Sequence, residues 1–365
     1  MKKSLLALAV LGAFAGVASA QSSVSLYGTV DLNGRYVKND GSAKRLSLSQ
    51  DGINSSQLGF RGTEDLGGGL KAGFLLLAGV NADTGSANGQ FWNRRATVSL
   101  FGGFGEVRLG RDYTPTFWNT TIFDVYGTNG LGDSSGIKQL AAADYVRANN
   151  MIQYFLPSNI GGVYGQLSLG AAEGNSSGRY IGGRVGFAAG PFDVAIAYST
   201  ERVSTGGFSN VAGLSGTAVA ENYKSLNVGG SYDFGVVKVV GYYQQEKVLS
   251  YKDQIISLGA IVPLGQGEIH IGGEQSKLDA PTAADGNKVK KYALGYVYNL
   301  SKRTALYSTA ALLDNGNATR VTLGNTAISA ANSTGQWAAG TGSATAAPTA
   351  GGKSKGIEFG IRHFF

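Results

Sequence analysis

The residues best suited to chemistry are arginines. Arg35, Arg61, Arg95, Arg108 and Arg147 each sit in a short stretch where apolar and polar residues alternate, and each falls on the polar side. In "QLGFRGT", Leu58 and Phe60 take one face, so Gln57 and Arg61 take the other. The same alternation sets Arg108 in "GEVRLG", Arg147 in "VRANNMIQYF" and Arg35 in "VSLYGTVDLNGRY" opposite their apolar neighbours. In "RRATVSL" it assigns Arg95 to the polar face and Arg94 to the apolar one, unless a bulge shifts them. A guanidinium stays charged at any ordinary pH and carries five donors, so such a stripe attracts and orients anions. Asp124 and Asp133, in the polar segment 113–145, are the acids that could face it. Opposed charges across a narrow gap create a transverse field that favours polar solutes.

Bond-making chemistry finds little support. The chain has no cysteine and two histidines. His363 lies on an apolar face and His270 has no histidine or cysteine nearby, whereas a metal site needs three or four converging ligands. No Ser/His/acid set can be assembled, and "GGGLK" lacks the spacing of a phosphate loop. No cofactor is implied.

The elements that hold these arginines are strands. Glycine is abundant, 57 of 365 residues, and proline scarce at 6. Segments such as "ATVSL", "FDVAIAY", "IISLGAIV" and "YALGYVYNL" alternate with period two. No apolar run after the first twenty residues approaches the length of a membrane helix, about 20 residues. A β-barrel can cross a membrane with strands of about 9–11 residues that are apolar on the outer face only. Short Gly-, Pro-, Asn- or Asp-rich turns fall at 64–70, 101–106, 156–163, 188–193, 232–236, 262–268 and 298–304. Longer polar links at 38–55, 113–145, 201–222 and 313–355 lie between them. These turns, with a first strand near Val24 and a last strand over 356–365, predict sixteen antiparallel strands with both termini on the short-turn rim. Pairing of 356–365 with residues near 24–34 would close the sheet and remove both edges. Ile357, Phe359, Ile361, His363 and Phe365 would then face lipid, with Phe365 in the aromatic girdle of the inner rim.

"MKKSLLALAVLGAFAGVASA" has the basic start, short apolar middle and small-residue ending of a secretory signal, with cleavage expected between Ala20 and Gln21. The barrel domain is then 21–365. Loss of Lys2 and Lys3 lowers the net charge from +7 to +5. With scattered charge, no polybasic run and an export signal, no nucleic-acid partner is expected.

The stretches "SVSLYGTVDLNGRYV", "LGFRGTEDLGGGLKAGF", "RRATVSLFGGFGEVRLGRDYTP", "VRANNMIQYF", "GRYIGG", "LGYVYNLSKRTALY" and "GIRHFF" resemble the general porins of the β-proteobacterial outer membrane, across essentially the whole chain after the leader. The resemblance implies a homotrimer in outer-membrane lipid and passive diffusion of small hydrophilic solutes and inorganic anions. It also implies a third outer loop, here about 113–145, folded into the pore. Phe365, His363, Ile361 and Phe359 resemble the signal read by the barrel-assembly machinery. The family pattern places constriction arginines at Arg94/Arg95 and Arg147 and at the position held here by Gln57, so the anion preference is expected to be modest. Asp124 is the better family match for the loop acid. Two alternatives remain. One is a substrate-specific channel with an aromatic slide built on Trp92 and Trp118. The other is a structural or adhesive barrel acting through 321–352.

Overall fold

The computed structural model describes residues 23–42, 44–87, 89–140, 145–175, 177–204, 220–282, 285–316, 319–324 and 348–365. The leader, with Ala20 and Gln21, and most of the 321–352 segment lie outside the described residues. The strands are β1 (Ser23–Asn39), β2 (Lys44–Gln50), β3 (Gln57–Gly67), β4 (Leu70–Asn81), β5 (Ser86–Ala87), β6 (Arg95–Gly102), β7 (Gly105–Tyr113), β8 (Arg147–Phe155), β9 (Val163–Gly170), β10 (Tyr180–Ala189), β11 (Phe192–Ser204), β12 (Ala220–Asp233), β13 (Lys238–Val248), β14 (Tyr251–Leu264), β15 (Gly267–Asp279), β16 (Asn287–Asn299), β17 (Thr304–Asn315) and β18 (Lys353–Phe364). One helix, α1 (Pro115–Phe123), and a 3-10 turn (Ser134–Ile137) lie between β7 and β8. The two-residue β5 is a small ribbon on β4, and β2 and β3 are two halves of one stave. The result is a closed antiparallel barrel of sixteen staves.

All seven short turns fall between paired strands as expected. The outer face is apolar and the inner face is not. Along β14, Ile256 and Leu258 are exposed, while Asp253, Ile255 and Ser257 are buried. β18 follows the same rule, with Ile357, Phe359 and Ile361 outward and Ser354 and Glu358 inward. Phe365 exchanges two backbone hydrogen bonds with Gly28 (3.0 and 3.1 Å), so the last residue belongs to the sheet. A Cβ at Gly28 would lie 2.2 Å from the Phe365 ring, and glycine therefore makes room for it.

The structure corrects two expectations and adds a helix to the segment after β7. The closing partner of β18 is 28–39, not 24–34. β1 is long and tilted, and its first seven residues pair with β3 instead, the stagger that a closed barrel requires. The 38–55 link is not a loop. Residues 44–50 pair with β1, turning Leu46 and Leu48 outward, and the link leaves the sheet at the tight turn after Asn39 and again over 51–56. The polar segment after β7 holds a helix, because Thr114 accepts the Phe117 N–H and Pro115 follows it at the first helical position.

The break at 51–56 has a clear cause. Asp31 on β1 points inward and accepts the N–H groups of Gly52 (3.2 Å), Ile53 (2.9 Å) and Asn54 (2.8 Å), and the Tyr307 hydroxyl also donates to it. Asp51 turns the chain with a positive φ of 61°. The carboxylate thus pulls a loop of the wall into the lumen. Asp31→Ala would leave four donors, three backbone N–H groups and the Tyr307 hydroxyl, without their acceptor, each worth about 1–3 kcal/mol when buried. The expected result is a lower thermal midpoint together with a larger single-channel conductance, since 51–56 would no longer be held across the bore. Unchanged conductance in a folded variant would contradict this role.

Candidate functional site

The segment between β7 and β8 lies inside the barrel and crosses to the far wall. Asn119 donates to the Ala195 carbonyl (3.1 Å) and to the Asn227 side chain (3.2 Å), and Thr120 donates to Gln244 (2.8 Å). Farther along, Tyr126 donates to the His270 carbonyl (3.0 Å), Asp253 accepts the Gln139 N–H (2.7 Å), and Glu358 accepts the Leu131 N–H (3.0 Å). Phe123, Val125, Leu131 and Ile137 are buried against inward-facing Val240, Ile255, Val289 and Leu313. The inner wall therefore meets the segment with both apolar side chains and hydrogen-bonding ones. Gly229 allows the approach, since a Cβ there would stand 2.3 Å from the Phe123 ring. His270, unassigned by the sequence, helps to fasten this segment. Its Nδ1 meets the Val125 carbonyl (2.9 Å) and its Nε2 meets Glu268 (2.8 Å).

The near side is left open as a cavity of about 480 Å3. Arg94, Arg147 and Tyr113 line it on one side, with Phe117 and Trp118 of α1 beside them. Gln57, Asp51 and Asn54 of the wall, and Asp133 and Ser135 of the inner segment, also line it. Tyr113 is the hub of the basic side. Its hydroxyl accepts from Arg94 (2.9 Å) and Arg147 (3.2 Å), and Arg147 and Arg95 lie over its ring at 4.7 and 5.8 Å from the centroid. Arg94 and Arg147 make no ion pair among the described residues, and their buried Nε–H groups find no protein acceptor there.

The other expected residues occupy different places. Arg95 and Arg108 point inward but share Asp112, each 2.6 Å from it, and Arg108 also pairs with Glu106 (2.8 Å). Arg35 is buried in a pair with Glu358 (2.7 Å) beneath the inner segment. Arg61 is inward, over the Tyr27 ring at 5.2 Å, away from the cavity lining. Arg94, assigned outward by parity, lines the cavity instead. It precedes the first residue of β6, so strand alternation does not govern it. Asp124 does not face the arginines. Its carboxylate accepts N–H groups of Tyr126 (3.2 Å), Thr128 (2.7 Å) and Ser134 (3.3 Å) and holds the inner segment in shape. Asp133 does line the cavity, yet its oxygens are taken by the Ser135 N–H and hydroxyl. Trp118 lines the cavity, whereas Trp92 packs on Phe60 and Phe91 away from it.

The sequence reading missed Asp112, Tyr113, Asp31 and Asp51. Asp112 shares the parity of Glu106 and Arg108 and was within reach of the same argument. Tyr113 was not, because a register shift between Gly110 and Asp112, with Gly110 at φ 122°, breaks the alternation.

A closed antiparallel barrel with an apolar exterior and a polar bore narrowed by an inner segment is a membrane channel of the outer-membrane type. Residues 7–318 match the Gram-negative porin family, and the chain belongs to that family. It is 41% identical to an outer membrane porin protein 32 of Delftia acidovorans, with all of both chains covered. It is 30% identical to an outer membrane porin protein of Bordetella pertussis, over 84% of this chain and 93% of that one. Among solved structures, an anion-selective porin from Comamonas acidovorans superposes with a TM-score of 0.79 at 35% identity, over 94% of this chain and all of that one. The protein is thus a porin of the Gram-negative outer membrane.

Burial pushes the carboxyls of Asp51 and Asp124 up to about 6, with the nearby Asp133 charge adding to the rise at Asp124. Both values lie above the ordinary 3.8, so the folded form binds these protons more tightly than the unfolded chain. Their stabilising effect is fully present below about pH 4 and is lost as pH rises through about 6. The thermal midpoint should therefore rise between pH 8 and pH 5. Asp124→Asn, neutral throughout, should flatten part of that rise. A midpoint independent of pH in the native protein would contradict the burial of these acids.

Proposed function

We propose that the pore passes ions and small hydrophilic solutes by passive diffusion, with a modest preference for anions set by Arg94 and Arg147. The observation that carries this reading is their position. Both line the cavity, both lack a carboxylate partner among the described residues, and both have a donor left unspent. The acids in the same cavity are engaged locally, Asp51 by the Ser56 N–H (2.6 Å) and Asp133 by Ser135. Arg95 and Arg108 are partly neutralised by Asp112 and act mainly as support. Gln57 holds a neutral amide where a further cation would strengthen the preference. The anion selectivity stated for the Comamonas porin agrees with this assignment. Asp124 has no part in the selectivity, and Arg35 and Arg61 serve the wall.

Three further expectations belong to the same reading. The leader is cleaved after Ala20, so the mature chain begins at Gln21. The barrels associate as a homotrimer in outer-membrane lipid. The outward row Phe359, Ile361, His363 and Phe365 is the handle for the barrel-assembly machinery. No chemical transformation is assigned to the bore.

Planar-bilayer recording should show a large ohmic conductance, and its absence would leave only a structural barrel. Arg147→Ala should shift the zero-current potential in a KCl gradient towards potassium, by about fivefold in permeability ratio for a charge effect of about 1 kcal/mol in water-like surroundings. Gln57→Arg should shift it the other way. If neither moves the potential at low salt, these side chains do not set selectivity. Deletion of Phe365 should lower the amount of folded barrel in the outer membrane while leaving the conductance of assembled channels unchanged. Normal barrel levels would contradict its role in assembly.

A further inference from the structure

Among the described residues, Trp118 is the tryptophan that lines the cavity, and the way α1 is fastened puts it there. Thr116, Asn119, Thr120 and Phe123 are buried, and Asn119 and Thr120 hydrogen-bond to the far wall. With about 3.6 residues per turn, Trp118 and Thr121 fall on the opposite face of the helix, and both line the cavity. The start of α1 is fixed as well. The Thr114 hydroxyl accepts the Phe117 N–H (3.3 Å) and the Thr114 carbonyl accepts the Trp118 N–H (3.0 Å). The indole is only partly buried and belongs to no buried apolar cluster of the described residues. It meets the Tyr113 ring edge-on, with centroids 5.1 Å apart and planes at 69°. Trp92 differs, since it packs on Phe60 and Phe91. Packing of the wall therefore gives Trp118 no evident task.

The same cavity holds the two arginine charges. Arg94 and Arg147 meet on the Tyr113 hydroxyl, and neither has a carboxylate partner among the described residues. Arg147 lies over the Tyr113 ring, and Tyr113 is stacked on Phe117 with centroids 5.3 Å apart and planes at 23°. These contacts fix the guanidinium groups and the aromatic rings relative to one another before any solute arrives, which lowers the ordering cost of binding. A cationic corner thus adjoins an aromatic wall. Chloride uses only the corner. The cavity, about 480 Å3, falls within the range of small-molecule pockets, about 300–1,000 Å3. A solute that uses both features carries a carboxylate and a flat π face. Aromatic pairs gain more than their buried area alone supplies, and a saturated ring cannot make that gain.

We propose that this corner is a binding station for single-ring aromatic carboxylates, with the carboxylate on Arg94 and Arg147 and the ring against Trp118. The inference rests on the porin reading, which makes the cavity part of a diffusion path. It adds to that reading a class of solute that the pore retains in preference to other anions.

The test compares benzoate, cyclohexanecarboxylate and acetate on the purified full-length protein. Affinities are measured by isothermal titration calorimetry in mild detergent, and block of the chloride current is recorded in parallel in planar bilayers. Benzoate and cyclohexanecarboxylate carry the same charge and nearly the same bulk, but only benzoate has a π face. Benzoate should bind about fivefold more tightly than cyclohexanecarboxylate, the scale of one aromatic pair, and acetate should bind most weakly. W118L should abolish the difference between the two ring acids, and W118F should keep most of it. R147A should weaken both ring acids alike. Equal affinity of the native protein for the two ring acids overturns the proposal and leaves Trp118 as a steric narrowing of the bore. Failure of benzoate to bind overturns it too, as does a folded W118L that still prefers benzoate. The comparison on the native protein decides the matter should W118L not fold. Conductance separates the two readings. A protein that conducts without the benzoate preference loses the aromatic station and keeps the porin reading. One that prefers benzoate yet forms no channel keeps the station and loses the porin reading.

Discussion

Everything in this molecule depends on closing one hydrogen-bonded ring. A strand in lipid has no water to satisfy its backbone, so every edge must find a partner within the sheet. The edges meet where β18 runs along β1 from Asn39 down to Gly28, and Phe365 completes the seam. Closure forces a tilt and a stagger, and the stagger leaves the lower end of β1 to pair with β3. From that geometry follow an apolar exterior, an interior that can be polar, and a bore whose width the inward segments decide.

Two devices narrow the bore, and both work by giving displaced backbone a new partner. The wall segment 51–56 leaves the sheet because Asp31 replaces the lost sheet acceptors. The segment after β7 crosses the lumen because wall side chains such as Gln244, Asp253 and Glu358 receive it and Asp124 folds it on itself. The charge then sits on what remains open. Tyr113 keeps Arg94 and Arg147 side by side by accepting from both, while Asp112 draws Arg95 and Arg108 back to the wall.

Much of this was legible in the sequence. The seven short turns fixed the stave number, and period two alone placed Arg35, Arg61, Arg95, Arg108 and Arg147 inward and the final row Ile357 to Phe365 outward. Parity failed where strands end or bulge, as at Arg94 and beyond Gly110, because alternation is a property of regular pairing only. It also could not tell which inward residues reach the open cavity. That depends on where a non-periodic segment settles, and burial of Phe123, Val125 and Ile137 against the far wall has no local signature. For the same reason Asp124, chosen by family pattern, was assigned to the pore when its oxygens are needed by its own loop. The helix α1 had a readable start in Thr114-Pro115, though its nine residues are too short to stand out by periodicity.

The central claim is that unpaired arginine charge at the cavity sets the preference of the pore. The zero-current potential of the native protein across a tenfold KCl gradient, recorded first at millimolar and then at molar salt, tests it most directly. The account predicts a potential of the sign given by chloride permeating faster than potassium at low salt, shrinking towards zero as the screening length falls from about 30 Å at 0.01 M to about 3 Å at 1 M. A potential of the opposite sign at low salt, or one that does not change with salt, would contradict it.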